Sequence, residues 1–438
     1  SMITRIENLD DKEKQTLLDS LGQAKRSVPV LGITGTGGSG KSSLTDEMIS
    51  RFLRRFPEIK IGIVCVDPTR KRTGGALLGD RIRMNALNSE QTYMRSMATR
   101  DSSSALSRSI QEAILVLQNS DADFIKKVSG IEKRFVLDKE GILDPERMRP
   151  NLKQRSNEDI SIQAEIAVDA CKEAMKSAGR SAKDIDAVIC GCANLQRAYP
   201  AVAIEIQEEL GINGYAYDMN VACSSATFSI QNAFNDIQSG VADKILVVNP
   251  EICSGHLNFK DRDAHFIFGD ACTAVIIERD SHSEHAFGIL GTKLQTKFSN
   301  NIRNNFGFLN APEDADPDSP DKLFIQKGRS VFKEVVPMVQ DHIEKHLSEL
   351  SIDINTVKRL WLHQANLNMN QLIAKRLLGR DPEEGEMPII LDNYANTSSA
   401  GSIIAFHQHK NDFSKDQVGV ISSFGAGYSV GSVIIQKI

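Results

Sequence analysis

Asn220-Val-Ala-Cys-Ser-Ser-Ala-Thr-Phe228 is the stretch from which the fold is read. Small residues flank Cys223. The residues that follow have helical spacing, with Phe228, Ala233, Phe234 and Ile237 available as an inner side. That places Cys223 at a strand-to-helix turn, on a helix N-terminus. There the unpaired N–H groups and the positive dipole end favour a thiolate. Small neighbours admit a thioester and leave backbone N–H groups to hold an oxyanion. A buried, inert thiol fits the same nine residues equally well.

Two later stretches weigh on that choice. Leu360-Trp-Leu-His-Gln-Ala-Asn366 puts His363 just past an apolar strand. Asn393-Tyr-Ala-Asn-Thr-Ser-Ser-Ala-Gly401 puts Asn396 in a turn before a helix. Alone, the histidine reads as structural and the asparagine as a cap. Together with Cys223 they form a Cys/His/Asn set, which can carry thiolate acyl transfer and stabilise a developing enolate.

Around these residues, helical and strand patterns alternate. Ile160–Ser177 is expected to be a helix, with Ile162, Ile166, Ala170 and Ala174 near one face. Strands are expected at Ala187–Cys192, Lys244–Pro250, Thr273–Glu278 and Arg359–His363. A helix is expected through Val331–Leu350, and a closing hairpin-like pair at Val418–Phe424 and Val430–Gln436. Two α/β halves of similar rhythm imply a duplicated, tightly packed architecture. The domain expectation is a partial P-loop segment over 1–118, a first half over 119–285 and a second over 286–438.

Residues from about Ser120 to Ile438 resemble 3-oxoacyl-(acyl-carrier-protein) synthase III, the initiating condensing enzyme of the thiolase superfamily. The matching text is the Cys223 elbow, His363 in His-Gln-Ala-Asn, Asn396 in Asn-Thr-Ser, Phe268-Gly-Asp270 and Phe424-Gly-Ala-Gly-Tyr428. The resemblance implies a duplicated thiolase-like αβαβα fold and a homodimer. It implies decarboxylative condensation of an acyl-CoA primer with malonyl-acyl carrier protein, in an acyltransferase of fatty-acid synthesis. Cys223 would carry the acyl group. The N–H groups of Cys223 and Ala426 would form the oxyanion hole. His363 and Asn396 would hold the malonyl thioester oxygen. Phe124 falls where the family stacks an adenine-binding Trp, so it is the expected CoA contact, and Val128 replaces a nearby Arg. The condensation calls for no metal or redox cofactor. Asn300–Phe308 and Arg197–Pro200 are expected to line the acyl channel, with a medium-length primer.

The N-terminal segment reads differently. Val28–Thr34 is an apolar run expected to be a buried strand, and it enters Gly35-Thr-Gly-Gly-Ser-Gly-Lys-Ser42. Leu44–Phe56 has helical spacing, and Ile59–Val66 reads as a second strand. This is the context of a phosphate-binding loop. Gly35 and Gly40 would shape it, Lys41 would face phosphate and Ser42 would face Mg²⁺. Residues 28–117 resemble the G-protein chaperones of cobalamin-dependent acyl-CoA mutases, above all the fused isobutyryl-CoA mutase type. That resemblance puts Asp67 and Asp80 near the metal and switch region. After Gln118 there is no Walker B strand and no Asn-Lys-x-Asp motif to read guanine. The segment therefore reads as a truncated remnant rather than a working Mg-GTP site. Either Val28–Thr34 or Ile59–Val66 is expected to stand in for a missing first strand of the synthase. The competing reading is a nucleotide-binding chaperone-like module fused to an inactive synthase scaffold.

Composition sets the outer limits. The 438 residues are 41% hydrophobic and 25% charged, an ordinary globular balance. A net charge of −5 is no footprint of a nucleic-acid binder. Residues 1–118 carry 18 Lys/Arg against 13 Asp/Glu, while the remainder is acidic, a shift that marks a boundary. No run approaches the roughly 20 apolar residues of a membrane span. Seven scattered cysteines without a secretory signal suggest reduced thiols in a cytoplasmic protein. Cys190-Gly-Cys192 lies in a predicted strand and reads as core, not as a zinc ligand pair.

Overall fold

The computed structural model describes residues 30–33, 41–56, 61–68, 92–99, 129–153, 155–261, 264–279, 286–307 and 322–438. The chain divides into two compact units, Ser1–Phe124 and Ile125–Ile438. Gly35, Gly40, Asp80 and Phe124 lie outside the described residues.

In the first unit, helix α1 (Lys41–Arg55) begins three residues earlier than expected. Its buried residue is Ile49, while Leu44, Phe52 and Phe56 are exposed. Strand β1 (Ile61–Pro68) carries Asp67 and pairs in parallel with β2 (Thr92–Thr99). The register is unbroken from Ile61 opposite Thr92 to Pro68 opposite Thr99. One sequence expectation fails here. Val30–Ile33 is not a strand, and Val30 and Leu31 are 60% and 68% exposed. An apolar run becomes a strand only where a neighbour takes up its backbone groups, and β1 and β2 pair with each other.

The second unit holds two four-stranded sheets, both built from residues 187–437. The first joins β3 (Ala187–Gly191), β4 (Tyr215–Met219), β5 (Lys244–Glu251) and β6 (Ala271–Glu278) in the order β4-β3-β5-β6. Strand β3 is parallel to both neighbours, and β5 and β6 are antiparallel. Strand β7 (Phe287–Ser299) belongs to the other sheet, and a short pair, β8 (Ile302–Arg303) and β9 (Ile325–Gln326), follows it. With β10 (Val357–Leu362), β11 (Val418–Gly425) and β12 (Gly427–Lys437), the order is β10-β11-β12-β7. The pair β10/β11 is parallel, and the last two pairings are antiparallel.

Helices fill three layers around these sheets. A short α2 (Lys139–Leu143) comes first. Helices α3 (Ile162–Ala178) and α4 (Val202–Leu210) cover the outer face of the first sheet. Helix α5 (Ser225–Gln238) lies between the sheets. Helices α6 (Gly328–Glu349) and α7 (Leu367–Leu378) cover the outer face of the second sheet. After a single turn, α8 (Leu391–Tyr394), helix α9 (Ala400–Gln408) joins α5 in the middle layer. The result is the duplicated αβαβα thiolase-like architecture. Its central core packs Ala226, Ile230, Ala233 and Ile237 of α5 with Trp361, Ile403 and Ile421. Phe228 and Phe234 sit at its margin, half-buried, rather than within it.

Local signals explain the elements. Helix α3 opens on Ser161, whose side chain accepts the Ala164 N–H, and ends on left-handed Gly179. Its buried stripe is Ala164, Ala167, Val168, Cys171 and Met175, not Ile162, Ile166, Ala170 and Ala174. The expected row lies one residue to the side of the buried one, which is the flank packed on β5 and β6. Strand β3 is buried along its whole length, as a parallel strand covered on both sides must be. Cys190 and Cys192 are buried free thiols, as the core reading requires. Among the described residues no helix is long and apolar enough to cross a membrane.

Candidate active site

Cys223 occupies a one-turn 3₁₀ segment, Ala222–Ser224, directly before α5. Reaching that turn from β4 forces Ala222 to φ 46°, a left-handed backbone unusual for a residue with a Cβ. Serines staple the turn. The Ser225 hydroxyl donates to the Ala222 carbonyl at 2.7 Å and accepts the Val221 N–H at 2.9 Å. Asn220 accepts the Ala222 N–H at 3.0 Å.

The loop between β11 and β12 lies against this elbow. At Gly425 an added Cβ would stand 2.7 Å from the Cβ of Cys223, so only glycine permits the approach. The Ser429 hydroxyl reaches the Ser224 hydroxyl at 2.9 Å and the Ala426 carbonyl at 3.0 Å, locking loop to elbow. The N–H groups of Ala426 and of Cys223 itself both act on the thiol. Ala426 is not among the residues with positive φ, so its side chain brings no backbone strain to the loop. A cleft of about 470 Å³ opens beside this loop, between Ala222, Ala426, Ser429 and the end of β7 at Thr296, Lys297 and Phe298. The expected channel segments are not its walls. Arg197 is paired with Glu205, Tyr199 is exposed, and Asn301 donates to the Tyr428 hydroxyl.

His363 follows β10, where its N–H donates to the Ser422 carbonyl at 2.7 Å. The motif around it has a mechanical reading. Gln364 donates to the Leu362 carbonyl and accepts the Ile390 N–H, and Asn366 caps α7. The imidazole is 2% exposed and meets Phe424 edge to face at 5.2 Å. Burial lowers its pKa to about 4, opposed by a hydrogen bond with the Ser398 backbone. It is therefore neutral at physiological pH.

Asn396 is set by a bridge to Phe268. Its N–H donates to Ile267, and its carbonyl accepts the Gly269 N–H. A Cβ at Gly269 would collide with the Tyr394 carbonyl, which explains the glycine of Phe-Gly-Asp. Asp270 braces the same turn by accepting the Ser254 N–H and hydroxyl and the Leu137 N–H. Asn396 Oδ1 accepts the Ser398 N–H at 2.9 Å, which leaves its NH₂ group as the donor. Ala395 and Ser398 have φ 58° and 50°, so backbone strain gathers here as it does at Ala222.

Ser398 links the three sequence-predicted residues. Its hydroxyl donates to Cys223 Sγ at 3.5 Å, its N–H holds Asn396, and its backbone meets His363. Nothing in the sequence reading singled it out, although the run Thr397-Ser-Ser399 is an available clue. Glu251 escaped notice as well. It ends β5, fully buried, and accepts hydrogen bonds from Ala193 and Ser399. The helix N-terminus does not lower the Cys223 pKa on balance. Burial pushes it up to about 11, against the donors that favour the thiolate. In the first unit, Lys41 and Ser42 open α1. Among the described residues no His, Cys, Asp and Glu group could hold a metal.

A family model described as 3-oxoacyl-(acyl-carrier-protein) synthase III matches residues 217–297, and its C-terminal counterpart matches 347–437. A relative from Pseudomonas aeruginosa, beta-ketodecanoyl-(acyl-carrier-protein) synthase, is 62% identical over 323 residues, covering 73% of this chain and 92% of the relative. The chain belongs to the synthase III family. It is an acyl-transferring condensing enzyme of thiolase fold. The solved synthase III from Aquifex aeolicus VF5 has the same fold, with a TM-score of 0.59 at 24% identity over 73% of this chain and 92% of that one. A further model, described as methylmalonyl-CoA mutase-associated GTPase MeaB, matches residues 1–128. Fused isobutyryl-CoA mutase from Geobacillus kaustophilus is 55% identical over 118 residues, 27% of this chain but 11% of that protein. The synthase thus carries a MeaB-like G-protein segment at its front.

Proposed function

We propose that this synthase condenses a medium-chain acyl-CoA with malonyl-acyl carrier protein through an acyl-Cys223 intermediate. The observation that carries the reading is the convergence of Cys223, His363 and Asn396 on one residue, Ser398. The Cys223 thiolate attacks the primer thioester. The N–H groups of Cys223 and Ala426 receive the oxyanion, and CoA leaves. Malonyl thioester then enters. His363 Nε2 and the Asn396 carboxamide donate to its carbonyl oxygen, where charge develops as carbon dioxide departs. The resulting carbon nucleophile attacks acyl-Cys223 and releases a 3-oxoacyl chain on the carrier protein. A neutral imidazole suits this donor role, because it keeps an N–H without a positive charge. The condensation draws on these side chains alone. By family likeness the enzyme works in the cytoplasm as a homodimer, with Phe124 as a CoA contact.

Primer length follows from the relative's product. A ten-carbon 3-oxoacyl chain made by a two-carbon extension starts from an eight-carbon primer. In a series of acyl-CoA primers with malonyl-acyl carrier protein, turnover is expected to peak at octanoyl-CoA. A peak at acetyl-CoA would contradict the medium-chain reading.

The GTPase match favours a second role for residues 1–128. Helix α1 fits a nucleotide phosphate, since its first turn carries Lys41 and Ser42 and no carboxylate. Mg-GTP is expected to raise the Tm of the full chain, and Lys41→Ala is expected to lose that rise. An equal rise in both proteins would assign the effect elsewhere.

A further inference from the structure

We propose that Glu251 is a positioning residue: its carboxylate fastens the turn over residues 396–399 to the ends of β3 and β5, and so sets the Asn396 carboxamide for malonyl decarboxylation. The proposal rests on the reading in which Asn396 holds the malonyl thioester oxygen. The geometry is one carboxylate at the meeting point of three elements. Glu251 ends β5, and Ala193 follows β3, the parallel neighbour of β5. The Ala193 N–H reaches both carboxylate oxygens at 3.2 Å. From the turn, the Ser399 N–H reaches Oε1 at 3.1 Å, and the Ser399 hydroxyl donates to the same oxygen. Asn249 braces the strand ends by donating to the Gly191 carbonyl at 2.6 Å.

Glu251 is 1% exposed, and burying a carboxylate is costly unless it is well bonded. Its three donors exceed the two lone pairs of an amide oxygen, so the place calls for a carboxylate. Ser399 is the cap residue of α9, and the start of a helix favours a negative charge. The condensation steps assigned to Cys223, His363 and Asn396 do not use this group. What it holds is the turn that carries Asn396 and Ser398. Asn396 Oδ1 accepts the Ser398 N–H at 2.9 Å, and the Ser398 hydroxyl donates to Cys223 Sγ at 3.5 Å. Ala395 and Ser398 have φ 58° and 50°, a backbone that persists only where its surroundings impose it. Glu251, bonded to the next residue along, supplies one such constraint.

The charge of Glu251 pulls the other way on the nucleophile. Burial raises the Cys223 pKa most, and the Glu251 carboxylate adds to the rise. Replacing Glu251 by a neutral residue therefore eases thiolate formation while it loosens the turn. The two half-reactions respond in different directions, which a general loss of structure would not produce.

The test follows both half-reactions and amide hydrogen exchange in the full chain. In Glu251→Ala, kcat for decarboxylation of malonyl thioester is expected to fall about 100-fold, the scale of a misplacement of about 1 Å, with KM little changed. Glu251→Gln keeps one acceptor oxygen for Ser399 but turns a donor toward the Ala193 N–H, so its fall is expected to be about tenfold. Acyl labelling of Cys223 by octanoyl-CoA is expected to hold at the wild-type rate or rise in both variants. Exchange over residues 395–402 is expected to quicken about tenfold or more. If Glu251→Ala does not fold, the same measurements on Glu251→Gln decide. Equal falls in both half-reactions, or decarboxylation at the wild-type rate, would overturn the positioning role. Exchange needs no substrate. Quickened exchange in a protein whose wild type neither takes up octanoyl nor decarboxylates malonyl thioester would count against the condensing reading and leave the fastening of the turn standing. Unchanged exchange would overturn the fastening whatever the activities.

Discussion

Cys223→Ala is expected to abolish condensation, lowering product formation on the order of 10⁴-fold or more, because the acyl group has no other thiol to occupy. Cys171, Cys190, Cys192 and Cys253 are buried, and the half-buried Cys65 and Cys272 stand on strands β1 and β6 rather than at the elbow. Only Cys223 stands beside the N–H groups of a helix start and of Ala426. The loss belongs to the chemistry and not to the fold, since the half-buried thiol makes one side-chain hydrogen bond, to Ser398. The variant is expected to unfold near the wild-type temperature while 3-oxoacyl product falls to background. Product at a tenth of the wild-type rate or more would mean that the acyl group does not pass through this sulfur.

Asn396→Ala is expected to separate the two half-reactions. Acylation uses the oxyanion hole of Cys223 and Ala426, so it is expected to stay within about tenfold of wild type. Malonyl decarboxylation is expected to fall by roughly 100–1000-fold, the usual cost of losing one preorganised donor to a developing oxyanion. His363→Ala should show the same split. Alanine at 396 also frees the Ser398 N–H, which would disturb the elbow indirectly. Asn396→Asp controls for this, because it keeps the Oδ1 acceptor for the Ser398 N–H while a charged carboxylate oxygen replaces the donor. Release of carbon dioxide from malonyl thioester and acyl labelling of the enzyme measure the two steps separately. Normal decarboxylation in the Asn396 variants would show that the carboxamide does not hold the enolate.

Much of this was legible in the residues. Alternation of apolar strands with helical spacing placed β3, β5, β6, β10 and the hairpin of β11 and β12 within a few residues. Strands β3, β5, β10 and β11 are buried almost along their whole length, so their apolar runs are hard to mistake, while β6 is half-buried. Strand β2 was not anticipated. Its run Thr92-Tyr-Met-Arg-Ser-Met-Ala-Thr99 mixes polar and apolar residues without the continuous apolar signal. Val28–Thr34 has that signal, yet Val30–Ile33 is irregular, because pairing depends on partners that lie elsewhere in the chain. The stripe on α3 was misplaced by one position for a similar reason, since three-dimensional neighbours decide which flank of a broad apolar face is innermost.

At the site, Cys223, His363 and Asn396 stand in motifs whose flanking residues have local duties. Gln364 pins the strand end, Asn366 caps α7, and Gly425 makes room for Cys223. Ser398 and Glu251 were missed because their importance is relational. A serine in a serine-rich turn is unremarkable until its hydroxyl meets Cys223, and a glutamate at a strand end until Ser399 of the turn before α9 bonds it. Both contacts depend on sheet order, and a one-dimensional reading has no access to it.

The measurement that bears hardest on the whole account is mass analysis of the full chain after exposure to octanoyl-CoA, followed by a chase with malonyl-acyl carrier protein. One octanoyl group is expected on the Cys223 peptide, and the chase is expected to remove it as 3-oxodecanoyl-acyl carrier protein. A label on any other residue, or an octanoyl-Cys223 that the chase leaves in place, would contradict it.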